Sequence, residues 1–550
     1  MRQGPDDLTK LLTELEWLPL AISQAATYIG TTKLSTAEYL EKLRGKKRRR
    51  GVLQRPQHDR YRRSQASNSV LDTWSISIGY IRQHSEMAYR ILTALAYIDN
   101  QNISHEIIVQ AAQVDRQYKS ADQNSGDLNP VTVSHGSGRD DTGESDSDDG
   151  EEEVIAARTW LVSFSFLTFR NWGRASQGRA GCIYDMHKLV HEAIANHVHF
   201  HHDKRSNEAR SAKTAFEIID DLFPKVVERS TWSLCERYLR HAQRTEEWAR
   251  VHNGEEPVSS LLSRVSDYLS ARGRWKEREL VDLKIVNLRE RVFGSKHIST
   301  LSSRARLAVT YHEQGRYSEA ESIKTEVLQL RRGVLGENHK DTIWSLAELA
   351  ATYHRQQKYD KAEKIKTKVL QLRQQILGKK HEDTIRSMAS LASIYHAQKR
   401  YSEAKKIYDE VLQLQRDVLG PKHPNTIESM ASLASTYYAL GMFEEDEEIS
   451  FQVLRLRKEV LGDKHPDTIQ SMESLATTYY KRKRYEEARE LDIQVLHLRG
   501  ELLGKNHPAT IQSEKSLAES YKFMVIGEQR ILEAVSCPCS ECEGGAVAEQ

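Results

Sequence analysis

A 42-residue block recurs without insertion through the C-terminal half of this 550-residue chain, and it constrains the fold more than any other feature. Gly294, Gly336, Gly378, Gly420, Gly462 and Gly504 keep that step, and each is followed three residues later by His297, His339, His381, His423, His465 or His507. Thr300 to Thr510 and Tyr311 to Tyr521 recur in the same register. Self-similarity at a period between about 20 and 50 residues marks a solenoid, in which each unit buries its apolar face only by stacking on its neighbours. A chain of this kind is expected to offer an extended binding surface.

Within one copy, Ile343, Leu346, Leu349, Ala350 and Tyr353 recur at three- and four-residue spacing, and Tyr359, Ala362, Ile365, Val369 and Leu372 do so again. That periodicity predicts two amphipathic helices joined by a polar turn, Arg355 to Lys358 here, with Gly315 and Gly441 in the corresponding turns of other copies. Each second helix is expected to stop at Leu-Gly, the glycine taking a left-handed conformation. Proline follows the histidine in three copies, where a first helical position loses nothing by its missing N–H. Ala320, Ala362, Ala404 and Ala488 are expected to let helices approach closely, and Asp446 breaks this in one copy. Helix layers lie about 8–10 Å apart whereas metal bonds measure about 2 Å, so the histidines are assigned to capping and turn packing, with no metal.

Lys and Arg number 80 against 78 Asp and Glu, so the overall charge gives no argument for nucleic acid or an acidic membrane as partner. The five cysteines, Cys182, Cys235, Cys537, Cys539 and Cys542, lie outside the repeats, as suits a reducing compartment. The last three are read as part of an exposed tail at 526–550. No basic start with an apolar core opens the sequence, and no run of about 18 apolar residues occurs, so a soluble cytoplasmic protein is expected.

The repeat resembles the 42-residue tetratricopeptide repeat of the kinesin light chain type over roughly Trp275 to Tyr521. The whole array is placed at 255–525, with Leu261, Leu262, Val265 and Leu269 on a capping first helix. In that family an asparagine on the first helix holds the backbone of a bound peptide. The matching residues here are Arg306, Glu348, Ser390, Ser432, Ser474 and Ser516, which departs from the family pattern. Glu348, Thr352 and Arg355, with Ser474, Thr478 and Lys481, are expected on a concave face opposite the packed Leu/Tyr stripe. Their mixed polarity suits a hydrogen-bonded peptide.

Earlier in the chain, Leu18-Pro19-Leu20-Ala21 and Met186-His187 stand in an order that resembles the end of an NB-ARC module, as in NLR-like signalling ATPases of the STAND class. Trp17 takes the place of the family's glycine and Lys188 that of its aspartate. The resemblance implies a helical remnant at 1–45, a basic linker at 46–68, a winged-helix-like domain at 69–200 with a disordered acidic insertion at 119–153, and a helical spacer at 201–254. It also implies that Pro19 and His187 once contacted bound ADP. No Gly-x-x-x-x-Gly-Lys-(Ser/Thr) run exists to cradle phosphates, so ADP is possible only if the remnant is functional, and no cofactor is otherwise expected. The chain is then a truncated form or a relative that lost its motor.

Lys46-Lys47-Arg48-Arg49-Arg50 is read as a solvated linker, with nuclear import and, less favoured, nucleic-acid contact as alternatives. Ser145, with Asp148 three residues on, offers a phosphorylation site for an acidophilic kinase, and the acidic loop is expected to mask the basic run. The sequence carries no catalytic constellation. It predicts a mainly α, non-enzymatic scaffold that holds a peptide or protein partner, attached to the regulatory end of an NLR-like module. The alternatives are an ADP/ATP-dependent switch with its phosphate-loop part elsewhere, and a kinesin-light-chain-like cargo adaptor.

Overall fold

The computed structural model describes residues 5–15, 17, 19–53, 68–113, 148–170, 182–200, 206–518 and 521. The chain divides into two compact units, 1–314 and 315–550.

The first unit opens with helices α1 (Pro5–Glu14), α2 (Pro19–Thr32) and α3 (Thr36–Leu53). Helix α3 runs through the stretch expected to start a linker, so the helical segment reaches 53 rather than 45. Ser35 and Glu38 explain its start, since Glu38 accepts from the Ser35 N–H at 2.7 Å while Ser35 Oγ accepts from the Glu38 N–H at 3.3 Å.

Helices α4 (Asn68–His84) and α5 (Glu86–Leu95) come next, then β1 (Ile103–Ser104), a helical segment at 105–113 (α6), α7 (Asp148–Ser163), β2 (Thr168–Arg170), β3 (Ile183–Asp185) and α8 (Lys188–Phe200). The strands form an antiparallel sheet in the order β1-β3-β2. The described order over 86–185 is thus helix, strand, two helices and a pair of antiparallel strands. The expected disordered insertion is corrected at its end, because 148–153 form the first turns of α7, acidic residues being favourable at a helix N-terminus. Ser145 lies outside the described residues, as do 54–67 and the three terminal cysteines.

Helices α9 (Ser206–Leu222) and α10 (Trp232–Arg244) lead into α11 (Glu255–Ala271), α12 (Trp275–Phe293) and α13 (Ile298–Glu313). One continuous apolar core runs through this unit from Leu11 to Leu288, with Trp74, Phe164, Phe166 and Tyr238 among its largest members.

The second unit is built from helix pairs: α14 (Tyr317–Leu335), α15 (Lys340–Arg355), α16 (Tyr359–Leu377), α17 (Glu382–Ala397), α18 (Tyr401–Val418), α19 (Pro424–Leu440), α20 (Phe443–Leu461), α21 (Pro466–Lys481), α22 (Tyr485–Leu503) and a segment at 508–518 (α23). Its apolar residues fall into separate small clusters, such as Leu328 with Ile343, Leu346, Leu349 and Val369, and Leu454 with Ile469, Met472, Leu475 and Val495. Ala320, Ala362, Ala404 and Ala488 are fully buried, as close helix approach requires.

The Leu-Gly stops depart from expectation in one respect. Gly336, Gly378 and Gly462 sit at φ 85–86° with ψ near 165°, an extended mirror-image conformation rather than the left-handed helical one. That region is essentially closed to residues with a Cβ, so the period of the glycines has a stricter cause than a helix cap.

Candidate functional site

The recurring histidines are N-caps. Nδ1 of His297, His339, His381, His423, His465 and His507 accepts a hydrogen bond from the N–H two residues on, at 3.1–3.2 Å. Each satisfies one of the orphan donors of a helix start. Pro424 and Pro466 occupy the first turn directly after such a cap.

His187 makes the same bond, accepting from the Leu189 N–H at 3.2 Å at the start of α8. His187 and Pro19 are both exposed. With Nδ1 accepting, the neutral His187 ring carries its proton on Nε2, a single donor that a phosphate could use. Trp17 adopts a φ of 54°, so the place of the family's glycine keeps a glycine-like backbone while bearing an exposed indole. One donor and one proline do not make a phosphate cradle, which needs successive backbone N–H groups wrapped around the anion.

A set of buried and half-buried arginines, which the periodicity did not single out, ties consecutive helices together. Arg331 Nη1 donates to the Asp341 carbonyl at 3.1 Å and to Ser345 Oγ at 2.8 Å. Arg373, Arg457 and Arg499 repeat this with Ser387, Ser471 and Ser513, each at 2.8 Å. Within the first unit Arg289 does so with Ser303. The signal was present in the sequence as an arginine followed fourteen residues later by a serine at the 42-residue step. Gln415 interrupts the series, and its Oε1 is buried without a hydrogen-bond partner.

The residues expected to meet a ligand separate into two groups. Arg355, Ser474 and Lys481 are exposed, and Arg306, Glu348, Ser390 and Ser432 are half-buried. Arg306 donates to Asp267 at 2.7 Å within the first unit. Thr352 and Thr478 are buried rather than exposed on the surface of the first helices. Both sit against a buried charge on the preceding second helix. Lys324 Nζ donates to Thr352 Oγ1 at 3.0 Å and to Glu348 at 3.1 Å, and Thr478 Oγ1 donates to Asp446 Oδ2 at 2.6 Å. Thr310 is placed likewise against Asp282. A hydroxyl that satisfies a buried ion removes part of its burial cost, which is why tertiary packing takes these threonines inward.

The buried charges vary from copy to copy, whereas the caps and arginine ties hardly do. Lys366 stands at the position of Lys324, and burial brings its ammonium down to about 8. Burial raises the Asp446 carboxyl above its ordinary value, against the lowering pull of its Thr478 and Ser450 hydrogen bonds. Among the described residues, no group of three or more His, Cys, Asp or Glu is placed to hold a metal ion, and no helix is long and apolar enough to cross a membrane.

The tetratricopeptide-repeat family profile matches residues 257–333, 306–375, 341–408 and 389–445, and a second tetratricopeptide profile matches 426–467 and 468–509. A nucleotide-binding leucine-rich repeat (NLR)-like protein of Hyaloscypha variabilis is 30% identical over 305 residues, 54% of this chain. The chain spans only 26% of that relative. Among solved structures, tetratricopeptide-like repeats of a putative kinesin light chain from Podosopora anserina are 28% identical, covering 37% of this chain and 97% of that one, with a TM-score of 0.34. A STAND protein with a tetratricopeptide repeat sensor from Pyrococcus horikoshii is 14% identical, covering 94% of this chain and 74% of that one, with a TM-score of 0.37. Residues 257–509 thus match tetratricopeptide repeats, and 54% of the chain is similar to part of an NLR-like protein.

Proposed function

We propose that the chain holds a peptide or protein partner along the face formed by the first helices of its repeats, without catalysis, as part of an NLR-like signalling system. The observation that supports this reading is the division of labour within each copy. Residues that shape the scaffold, namely the histidine caps, extended glycines and arginine–serine ties, recur nearly unchanged. Some outward positions of the first helices differ between copies, as Arg306, Glu348 and Ser390 do, and Glu313, Arg355, Ala397 and Lys481. A repeat with a constant frame and variable outward positions is suited to recognition of one extended partner, because copies can read different stretches.

The full chain carrying Ser432→Arg and Ser474→Arg places two bulky cations on that face with little effect on the buried stripe. Partner captured by the unmodified chain is expected to be lost from this variant at equal thermal stability. Undiminished capture would move the binding surface elsewhere.

Nucleotide is proposed to have no part in this chain's own action. ADP and ATP are expected to leave the melting temperature of the full chain unchanged. A rise that His187→Ala abolishes would favour a switch that still senses nucleotide through its winged-helix remnant.

A further inference from the structure

The copy around α20 carries a cavity of about 220 Å³ that opens among α19, α20 and α21. Ala434, Tyr438 and Val453 line its apolar walls, and Asp446, Ser474 and Thr478 its polar end. Sites for whole drug-sized ligands run from about 300 to 1,000 Å³, so this one is of side-chain size.

Its origin is visible in the repeat register. Three copies earlier, the position of Ser450 is held by Lys324, whose long side chain crosses the same space and places its ammonium on Thr352 and Glu348. The residues that correspond to Thr352 and Glu348 are Thr478 and Ser474, both on the cavity wall. In the two copies between, Lys366 and Tyr408 hold that position, and Tyr408 is buried. Serine at 450 leaves it empty.

A negative charge has been added at the same spot. Asp446 replaces the small alanine found at this position in four other copies, and it is 2% exposed. Its oxygens accept from Thr478 at 2.6 Å and from Ser450 at 3.0 Å, and among the described residues no cation pairs with it. The contrast with Asp282 is direct. That buried carboxylate also accepts from a threonine, and it has Arg278 at 3.4 Å as counter-ion. Arg457 lines the cavity too, yet its guanidinium is committed to Glu428 at 2.8 Å, the Asp467 carbonyl and Ser471. Glu447 adds negative potential at Asp446. A buried anion without a cation is costly, and the cost is relieved when a cation with a matching donor arrives.

We propose that this cavity is a pocket for a basic side chain, lysine foremost, presented by the partner peptide, with Asp446 as its counter-ion. The inference rests on the reading of the first-helix face as a peptide-binding surface, and adds one specific requirement to it. The methylene stem lies along Ala434, Val453 and the ring of Tyr438, and the ammonium takes the place that Lys324 fills within its own copy.

The test is selection of peptides from a random seven-residue display library on the full chain, on Asp446→Ala and on Ser450→Lys. Alanine stands at the position of Asp446 in four other copies, so Asp446→Ala is accommodated. Ser450→Lys supplies the ammonium from within. Peptides selected on the unmodified chain are expected to share a lysine or arginine at one register position. A selected peptide should bind about tenfold or more weakly to either variant, and equally weakly to the unmodified chain when its lysine is replaced by norleucine. A basic preference that survives in Asp446→Ala overturns the pocket. So do selected peptides that bind the unmodified chain with no basic position, although the peptide-binding reading then stands. Failure of all three chains to select any peptide removes both.

Discussion

The two units bury their apolar residues in different ways. In residues 1–314 a single core runs from Leu11 to Leu288 and takes in helices far apart in sequence together with a three-stranded sheet. In residues 315–550 each cluster draws on neighbouring helices only, as Ile385, Met388 and Val411 do. The first arrangement ties its parts into one cooperative body, whereas the second sums nearest-neighbour interfaces. The histidines differ in parallel. His191 and His241 are buried and bond to backbone carbonyls in the first unit, while those of the repeats are helix caps. A unit with one core constrains every residue that enters it. A modular unit leaves room for one copy to differ, as the copy with Asp446 does.

The sharpest way to break this contrast is a matched pair of large-to-small substitutions. Trp74→Ala should cost about 3–5 kcal/mol and lower amide protection throughout the 11–288 core, whereas Met430→Ala, at about 2–5 kcal/mol, should do so only in the helices around it. Hydrogen exchange read segment by segment distinguishes them, and a uniform loss across the second unit in Met430→Ala would refute the modular view.

Acidification gives the next largest effect. Burial, aided by Arg244, holds the His191 ring at about 4, against the raising effect of the Ile98 and Leu95 carbonyls and Asp99. Between the ordinary histidine value and that one, the unfolded chain takes up a proton that the folded unit refuses. Stability should therefore fall as pH drops from about 6.5 to about 4, by up to about 3 kcal/mol from this group. Urea unfolding of the first unit's core at pH 7 and pH 5 measures it, and an unchanged midpoint would contradict a buried neutral ring.

Gln415→Arg should restore the missing tie to Ser429 and raise stability by about 0.5–1.5 kcal/mol, seen as slower exchange in α18 and α19. No gain would mean that the ties are geometric rather than energetic. The smallest effect is expected at the polar turns, where Gln357, Lys399 and Lys483 adopt φ of 61–63° at the position of Gly315 and Gly441. Lys399→Gly should stabilise its copy by up to about 1 kcal/mol, less the extra freedom glycine gains on unfolding. A loss measured by thermal denaturation would show that the lysine side chain outweighs the backbone strain.

Local chemistry was legible from the chain alone. The helix pairs, the histidine caps, the proline starts and the small alanines all depend on residues a few positions apart, and periodicity reports such relations directly. The extent of α3 and the start of α7 were not visible in this way.

What packing decided involves partners on separate helices. Thr352 and Thr478 look like surface positions on a helical wheel, yet Lys324 and Asp446, 28 and 32 residues away, draw them inside. The arginine–serine ties bridge 14 residues across a turn, and the side-chain cavity exists only because Ser450 leaves space where other copies place Lys324 or Tyr408. Sequence determined the repeat and its caps because their bonds close within a turn of helix. Burial, and with it the charge state and accessibility of the polar residues, was decided by the tertiary structure because it depends on what the next helix brings.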